Sequence, residues 1–143
     1  MQDSAIFTPV FGLMLLTLVV WVYMYYRRLS WIVSNNPDPQ SISSPEKLNQ
    51  VLPEAVNYPS NNLKNLFELP ILFYILCLYL AWSSQVDQLY LLSAYAFVIL
   101  RIAHSAVHCT FNIVLLRFSL YLASSLALWF MVCRAAYFAL VGP

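Results

Sequence analysis

The chain has 143 residues, of which 62% are hydrophobic, 16% aromatic and only 9% charged, with a formal net charge of +1. A soluble domain carries about 25% charged residues, and a small soluble fold keeps too much surface in water to hide this much apolar area. A disordered chain and a disulfide scaffold are excluded, a soluble globular domain is disfavoured, and the near-neutral charge implies no nucleic-acid partner.

The first apolar run, Ile6 to Tyr26, contains no charge. It is long enough to cross the roughly 30 Å hydrocarbon core of a bilayer. No basic region precedes it and it is too long for a signal-peptide core, so it reads as a membrane span. Residues 27–65 follow as a connection rich in Ser, Asn and Pro that holds Arg27, Arg28, Lys47 and Lys64. The second span is Leu66 to Trp82, with Glu68 near its start. A short connection without Lys or Arg, Ser83 to Gln88, leads into the third, Leu89 to Cys109, which carries Arg101, His104 and His108 in its second half. A few residues then lead past Arg117 to the fourth, Phe118 to about Leu140, interrupted by Arg134. Runs this long and uniformly apolar are helices rather than barrel strands. The fold expected is all-α, an integral membrane four-helix bundle in a single domain over residues 1–143.

Positive residues gather on the first and third connections. The positive-inside rule places those in the cytoplasm and both termini outside. Arg134 opposes this, but near the outer end of its helix it can snorkel. Cys77, Cys109 and Cys133 all lie in spans with no CxxC spacing, as expected of small apolar packing residues.

The polar side chains that remain are aligned. Arg101, His104, His108 and Asn112 recur on one face of the third helix; Asn61, Asn65 and Glu68 do so on the second, and Arg117, Tyr121 and Ser124 on the fourth. All three faces can meet in one layer in the cytoplasmic half of the membrane, where charge is costly and marks function. There Lys64, Arg101 and Arg117 face only Glu68. Three readings are open. The surplus of cations can hold an anion, and arginine suits carboxylates because its planar fork bonds bidentately. Alternatively, Glu68 and Arg101 form one interhelical salt bridge while Arg117 snorkels. Finally, His104 and His108 with Glu68 could ligate a metal, although no HExxH or ExxH pair is present and the arginines would repel a cation; no metal site is expected.

These residues resemble the MAPEG family, the membrane-associated proteins of eicosanoid and glutathione metabolism. On the second span Lys64-Asn65-Leu66-Phe67-Glu68-Leu69-Pro70 is similar to the family's basic residue, Asn-x-x-Glu, then Pro. Arg101-Ile102-Ala103-His104, followed by His108, Arg117 and Tyr121, is nearest to the pattern of its microsomal prostaglandin E synthase and glutathione transferase members. The resemblance implies a homotrimer binding glutathione between subunits near the cytoplasmic face. Asn65 and Glu68 would hold its peptide part, with Glu68 on the ammonium, and Arg101, helped by Lys64, a carboxylate. His104 and His108 would lie near it, Tyr121 would pack against or bond to it, and Arg117 would be the catalytic group stabilising the thiolate.

The implied activity is that of a transferase or peroxidase, activating the thiol toward lipophilic electrophiles or peroxides from the membrane lipids. A non-catalytic subunit in a larger membrane complex is the alternative. Three departures bear on this. His108 replaces an aromatic hydroxyl, Lys64 replaces an arginine, and Phe118 stands where the prostaglandin synthase has Ser, so that enzyme's isomerase activity is not implied. Arg27 and Arg28 end the first span near a family arginine that acts as an acid in some members; interfacial anchoring to lipid headgroups explains them equally well. The short later connections and the lack of a targeting segment favour a bacterial inner membrane.

Overall fold

The computed structural model describes residues 2–142. Its helices are α1 (Gln2–Ala5), α2 (Phe7–Asn35), α3 (Pro45–Val51), α4 (Glu54–Leu66), α5 (Leu69–Trp82), α6 (Gln88–Cys109) and α7 (Val114–Val141), with a 3-10 turn at Pro39–Ile42 and no strand among the described residues. Four stretches are long and apolar enough to cross a membrane: α2, the α4–α5 pair (Glu54–Trp82), α6 and α7. The chain is therefore an all-α four-helix membrane bundle.

Large apolar side chains cover its outside, among them Leu15, Val22, Ile75, Leu92 and Leu126. A bilayer, unlike water, exacts nothing for this. Inside, Leu13, Phe73, Leu80, Phe97, Leu128 and Met131 are fully buried. Phe73 and Phe97 stack α5 against α6, ring centroids 4.8 Å apart. α7 packs chiefly on α6, and α2 on α4 and α6. A polar contact also joins α4 to α6: Ser105 donates to Asn62 Oδ1 at 3.3 Å, and Asn62 Nδ2 to the Cys109 thiol at 3.5 Å. Such interhelical bonds contribute about 0.6–2 kcal/mol in a membrane. Cys77 is buried as well, whereas Cys133 faces outward.

The connection expected over residues 27–65 is largely helical. Helix α2 runs through Arg27 and Arg28 and stops only where Asn36 turns left-handed (φ 43°) before Pro37, a residue pair that ends helices. Beyond it, Ser44 caps α3 by accepting from the Lys47 amide. The two arginines tie this segment down. Arg28 Nη2 donates to Asn49 Oδ1 at 2.7 Å and Ser60 Oγ at 2.9 Å. Arg27 donates to the Tyr23 hydroxyl at 2.8 Å and the Ala55 carbonyl at 3.2 Å. Both are thus bound to protein groups rather than reserved for lipid headgroups.

Arg134 does not snorkel. It forms the sole ion pair among the described residues, a bidentate one with Asp87, and its guanidinium lies 4.2 Å from the Tyr90 ring centroid. Asp87 also caps α6, accepting from the Tyr90 amide at 3.0 Å, so one carboxylate joins the start of α6 to the end of α7. The hydrogen bond from Arg134 holds the Asp87 carboxyl below the usual carboxylate range, with the Tyr90 and Leu89 amides assisting. A folded-state pKa below the unfolded value of about 3.9 contributes stability above that pH, which is lost as pH falls through the folded pKa. Because the Asp87 side chain is 45% exposed, the contribution is below about 1 kcal/mol. In detergent, the melting temperature of the native protein is expected to fall below about pH 4 more than that of Asp87→Asn, which keeps a capping side chain. Parallel pH profiles would refute the assignment.

Candidate functional site

A proline break places the acid of the site. Pro70 has no amide hydrogen to give to the Leu66 carbonyl, so α4 and α5 separate at Phe67–Glu68. The non-helical Glu68 (φ −97°, ψ −103°) is swung outward and exposed. Glu68 and Arg101 do not pair; among the described residues Glu68 has no ion-pair partner.

The turn between α6 and α7 places the cation. Asn112 adopts a left-handed conformation (φ 48°), which asparagine tolerates better than most residues. Its amide bonds the Val107 carbonyl at 2.8 Å, and its Oδ1 accepts from Arg117 Nη1 at 2.5 Å. Arg117 lies in the first turn of α7, which begins at Val114 rather than Phe118. It is therefore a tethered group in the helix, not a free side chain at the lipid surface.

Between these elements runs a cleft in two lobes. One, about 330 Å³, is lined by Asn61, Lys64, Asn65, Glu68, His108 and Arg117. The other, about 280 Å³, is lined by Asn65, Glu68, His104, Val114, Arg117, Phe118 and Tyr121. Asn65, Glu68 and Arg117 belong to both. The structure thus brings Lys64, Asn65, Glu68, His104, His108, Arg117 and Tyr121 to one cleft.

Arg101 is the exception. It is 0% exposed and lies behind Tyr121, its guanidinium 4.6 Å from that ring centroid and 5.4 Å from that of Phe97. Among the described residues, none of its three guanidinium nitrogens lies in hydrogen-bonding geometry with a partner. Cation–π contacts offset part of the burial of the charge, about 2 kcal/mol each when desolvated, but they do not replace acceptors. His104 (2% exposed) and His108 (4%) are buried too. His104 Nδ1 meets the Arg117 carbonyl at 2.9 Å, while His104 Nε2 and His108 Nδ1 have no partner. The two imidazoles meet edge to face, centroids 5.5 Å apart. Unsatisfied buried polar atoms cost about 1–3 kcal/mol each, so five of them in one cluster mark a place where the fold gives up stability.

Ser124, on the expected face, is no part of the cleft; its hydroxyl bonds back to the Tyr121 carbonyl at 2.8 Å. Asn61 and Phe118, noted from sequence but given no binding role, also line the cleft, as does Val114. Asn61 carried a signal in its spacing from Asn65, whereas the apolar Val114 carried none. Among the described residues, no three His, Cys, Asp or Glu side chains gather as metal ligands do.

Residues 6–137 match the sequence profile of the MAPEG family. The chain belongs to the MAPEG family. The match spans three of the membrane helices, most of the fourth and every residue of the cleft, and it makes the chain an integral, multi-pass protein of a family concerned with eicosanoid and glutathione metabolism. Comparison with curated proteins and with solved structures gives no match. Asn65, Glu68, Arg117 and Tyr121, which line the cleft, all lie within the matched stretch.

Proposed function

We propose that the protein is a glutathione-dependent transferase or peroxidase of the membrane, active as a homotrimer whose subunit interfaces close the cleft. The end bearing α3 and the α6–α7 turn faces the cytoplasm, leaving both termini on the other side. The short connections favour a bacterial inner membrane as the host.

Charge complementarity carries this reading. The cluster sets one acid, Glu68, against three cations, Lys64, Arg101 and Arg117. Glutathione with its thiol ionised presents the mirror image: one ammonium, two carboxylates and one sulfur anion. Glu68 takes the ammonium, and Asn65 bonds the peptide. Lys64 at the rim meets one carboxylate. Arg101 meets the other once the Tyr121 ring turns aside, which would satisfy nitrogens that otherwise have no acceptor. When bound, glutathione supplies a nucleophilic thiol. Arg117, held by Asn112, stabilises negative charge at the sulfur and so favours its ionised form. Phe118 and Val114 give the second lobe an apolar wall, against which a lipophilic electrophile or peroxide from the bilayer can rest.

Calorimetric titration of the detergent-purified protein with glutathione tests this. Saturable binding, with thiolate absorbance appearing at neutral pH in a trimer, is expected. A well-folded protein that binds no glutathione would overturn the proposal and point to a non-catalytic subunit of a larger membrane complex.

A further inference from the structure

We propose that His104 is the group that takes the proton from the thiol held in this cleft, a role that rests on the glutathione reading above. The tautomer comes first. His104 Nδ1 lies 2.9 Å from the backbone oxygen of Arg117. A carbonyl oxygen can only accept, so Nδ1 carries the hydrogen. In the neutral ring the lone pair then belongs to Nε2. That atom is buried and bonded to nothing among the described residues, and the side chain lines the lobe shared by Arg117, Tyr121 and Glu68.

Such an acceptor, oriented from behind by a fixed group, is the arrangement that activates weak nucleophiles elsewhere. Here the orienting carbonyl belongs to Arg117 itself. The turn of α7 that holds the sulfur's counter-charge therefore also aims the base. His108 lacks this: its Nδ1 is bonded to nothing among the described residues, and it packs edge-on against His104.

In the step, the S–H bond breaks and its proton goes to Nε2. The electron pair stays on sulfur, opposite the Arg117 guanidinium, and the ring becomes an imidazolium that keeps its Nδ1–H bond to the carbonyl. No further reagent is needed. His108 on α6 and Tyr121 from α7 touch the ring, Arg117 and Glu68 line its lobe, Arg101 lies against the far side of Tyr121, and Lys64 lines the adjoining lobe. From α2, Arg27 lies toward Cys109. Among so many cations, the anion formed on sulfur balances the proton gained.

The test pairs glutathione with its S-methyl analogue, which has no thiol proton, in buffers of different ionisation heat. The native protein is expected to bind both, to show thiolate absorbance only with glutathione, and to release no net proton to the buffer. His104→Asn keeps an amide N–H for the Arg117 carbonyl and replaces the basic Nε2 with an amide oxygen that cannot take a proton near neutral pH. It should bind the analogue within about threefold of the native protein. With glutathione it should release about one proton per site, and its thiolate absorbance should appear at least one pH unit higher, a factor of about ten in the ionisation constant. In ¹⁵N-histidine spectra, glutathione but not the analogue should protonate His104 Nε2 in the native protein. If His104→Asn keeps the native proton balance and absorbance midpoint, His104 is not the acceptor. If the native protein binds neither ligand, the glutathione reading itself fails. If it binds the analogue normally but glutathione leaves Nε2 unprotonated, only this inference falls.

Discussion

Arg117→Ala will cost the largest share of activity: a fall of about 10²–10³-fold in turnover, the range seen when one fixed donor facing a developing anion is removed. The guanidinium is the sole cation lining both lobes of the cleft. It is also the one whose position is set by a side-chain bond, at 2.5 Å to Asn112. On the glutathione reading its loss should raise the pH at which the bound thiol ionises and leave affinity less affected, because Glu68, Asn65 and Lys64 would still meet the ammonium, the peptide and a carboxylate. Arg117→Lys should recover part of the loss, since a point charge remains but the planar fork does not. Asn112→Ala should do less damage than either, because it frees the arginine without removing it. Thiolate absorbance against pH and steady-state rates with a lipophilic electrophile would check the series. An unchanged ionisation midpoint in Arg117→Ala would show that the sulfur lies elsewhere.

Arg101→Met is expected to have opposite effects on stability and binding. Arg101 is completely buried and none of its nitrogens has an acceptor. Replacing a buried charge with an apolar side chain of similar length is neutral or stabilising by about 1–4 kcal/mol in other proteins. The variant should therefore melt no lower than the native protein in detergent, and up to several degrees higher. Glutathione affinity should fall by at least tenfold, because a carboxylate would meet a thioether behind Tyr121 instead of a guanidinium. Adding glutathione should then raise the melting temperature of the native protein, through binding to the folded state alone, but not that of the variant. If Arg101→Met were destabilised and still bound the ligand, Arg101 would be a structural cation held by Phe97 and Tyr121.

The polar layer was largely legible from local spacing. Side chains three or four residues apart on a helix share a face whatever surrounds them. His104 and His108, or Asn61 and Asn65, can therefore be placed together without knowing the fold. Arg101 shares that spacing yet lies behind the cleft, because the Tyr121 ring from another helix covers it. Spacing gives a face and a depth; it does not give the orientation of a neighbouring ring. The pairing of Arg134 with Asp87 was missed for a related reason. The two are remote in sequence, and the hydropathy of one span carries no record of a partner on another.

The sequence by itself determined the solvent, the number of spans, the family and the residue types of the cleft. Hydropathy and helical periodicity are local properties, and a bilayer leaves a chain of such runs few ways to satisfy its backbone. Only the tertiary structure decided that the 27–65 connection is mostly helix pinned by Arg27 and Arg28. It also decided that Glu68 hangs unpaired at the Pro70 break and that the Arg117 carbonyl fixes the tautomer of His104. Each of these depends on which backbone atoms of distant segments come within hydrogen-bonding reach. That is a property of how the helices pack, not of the order in which their residues are written.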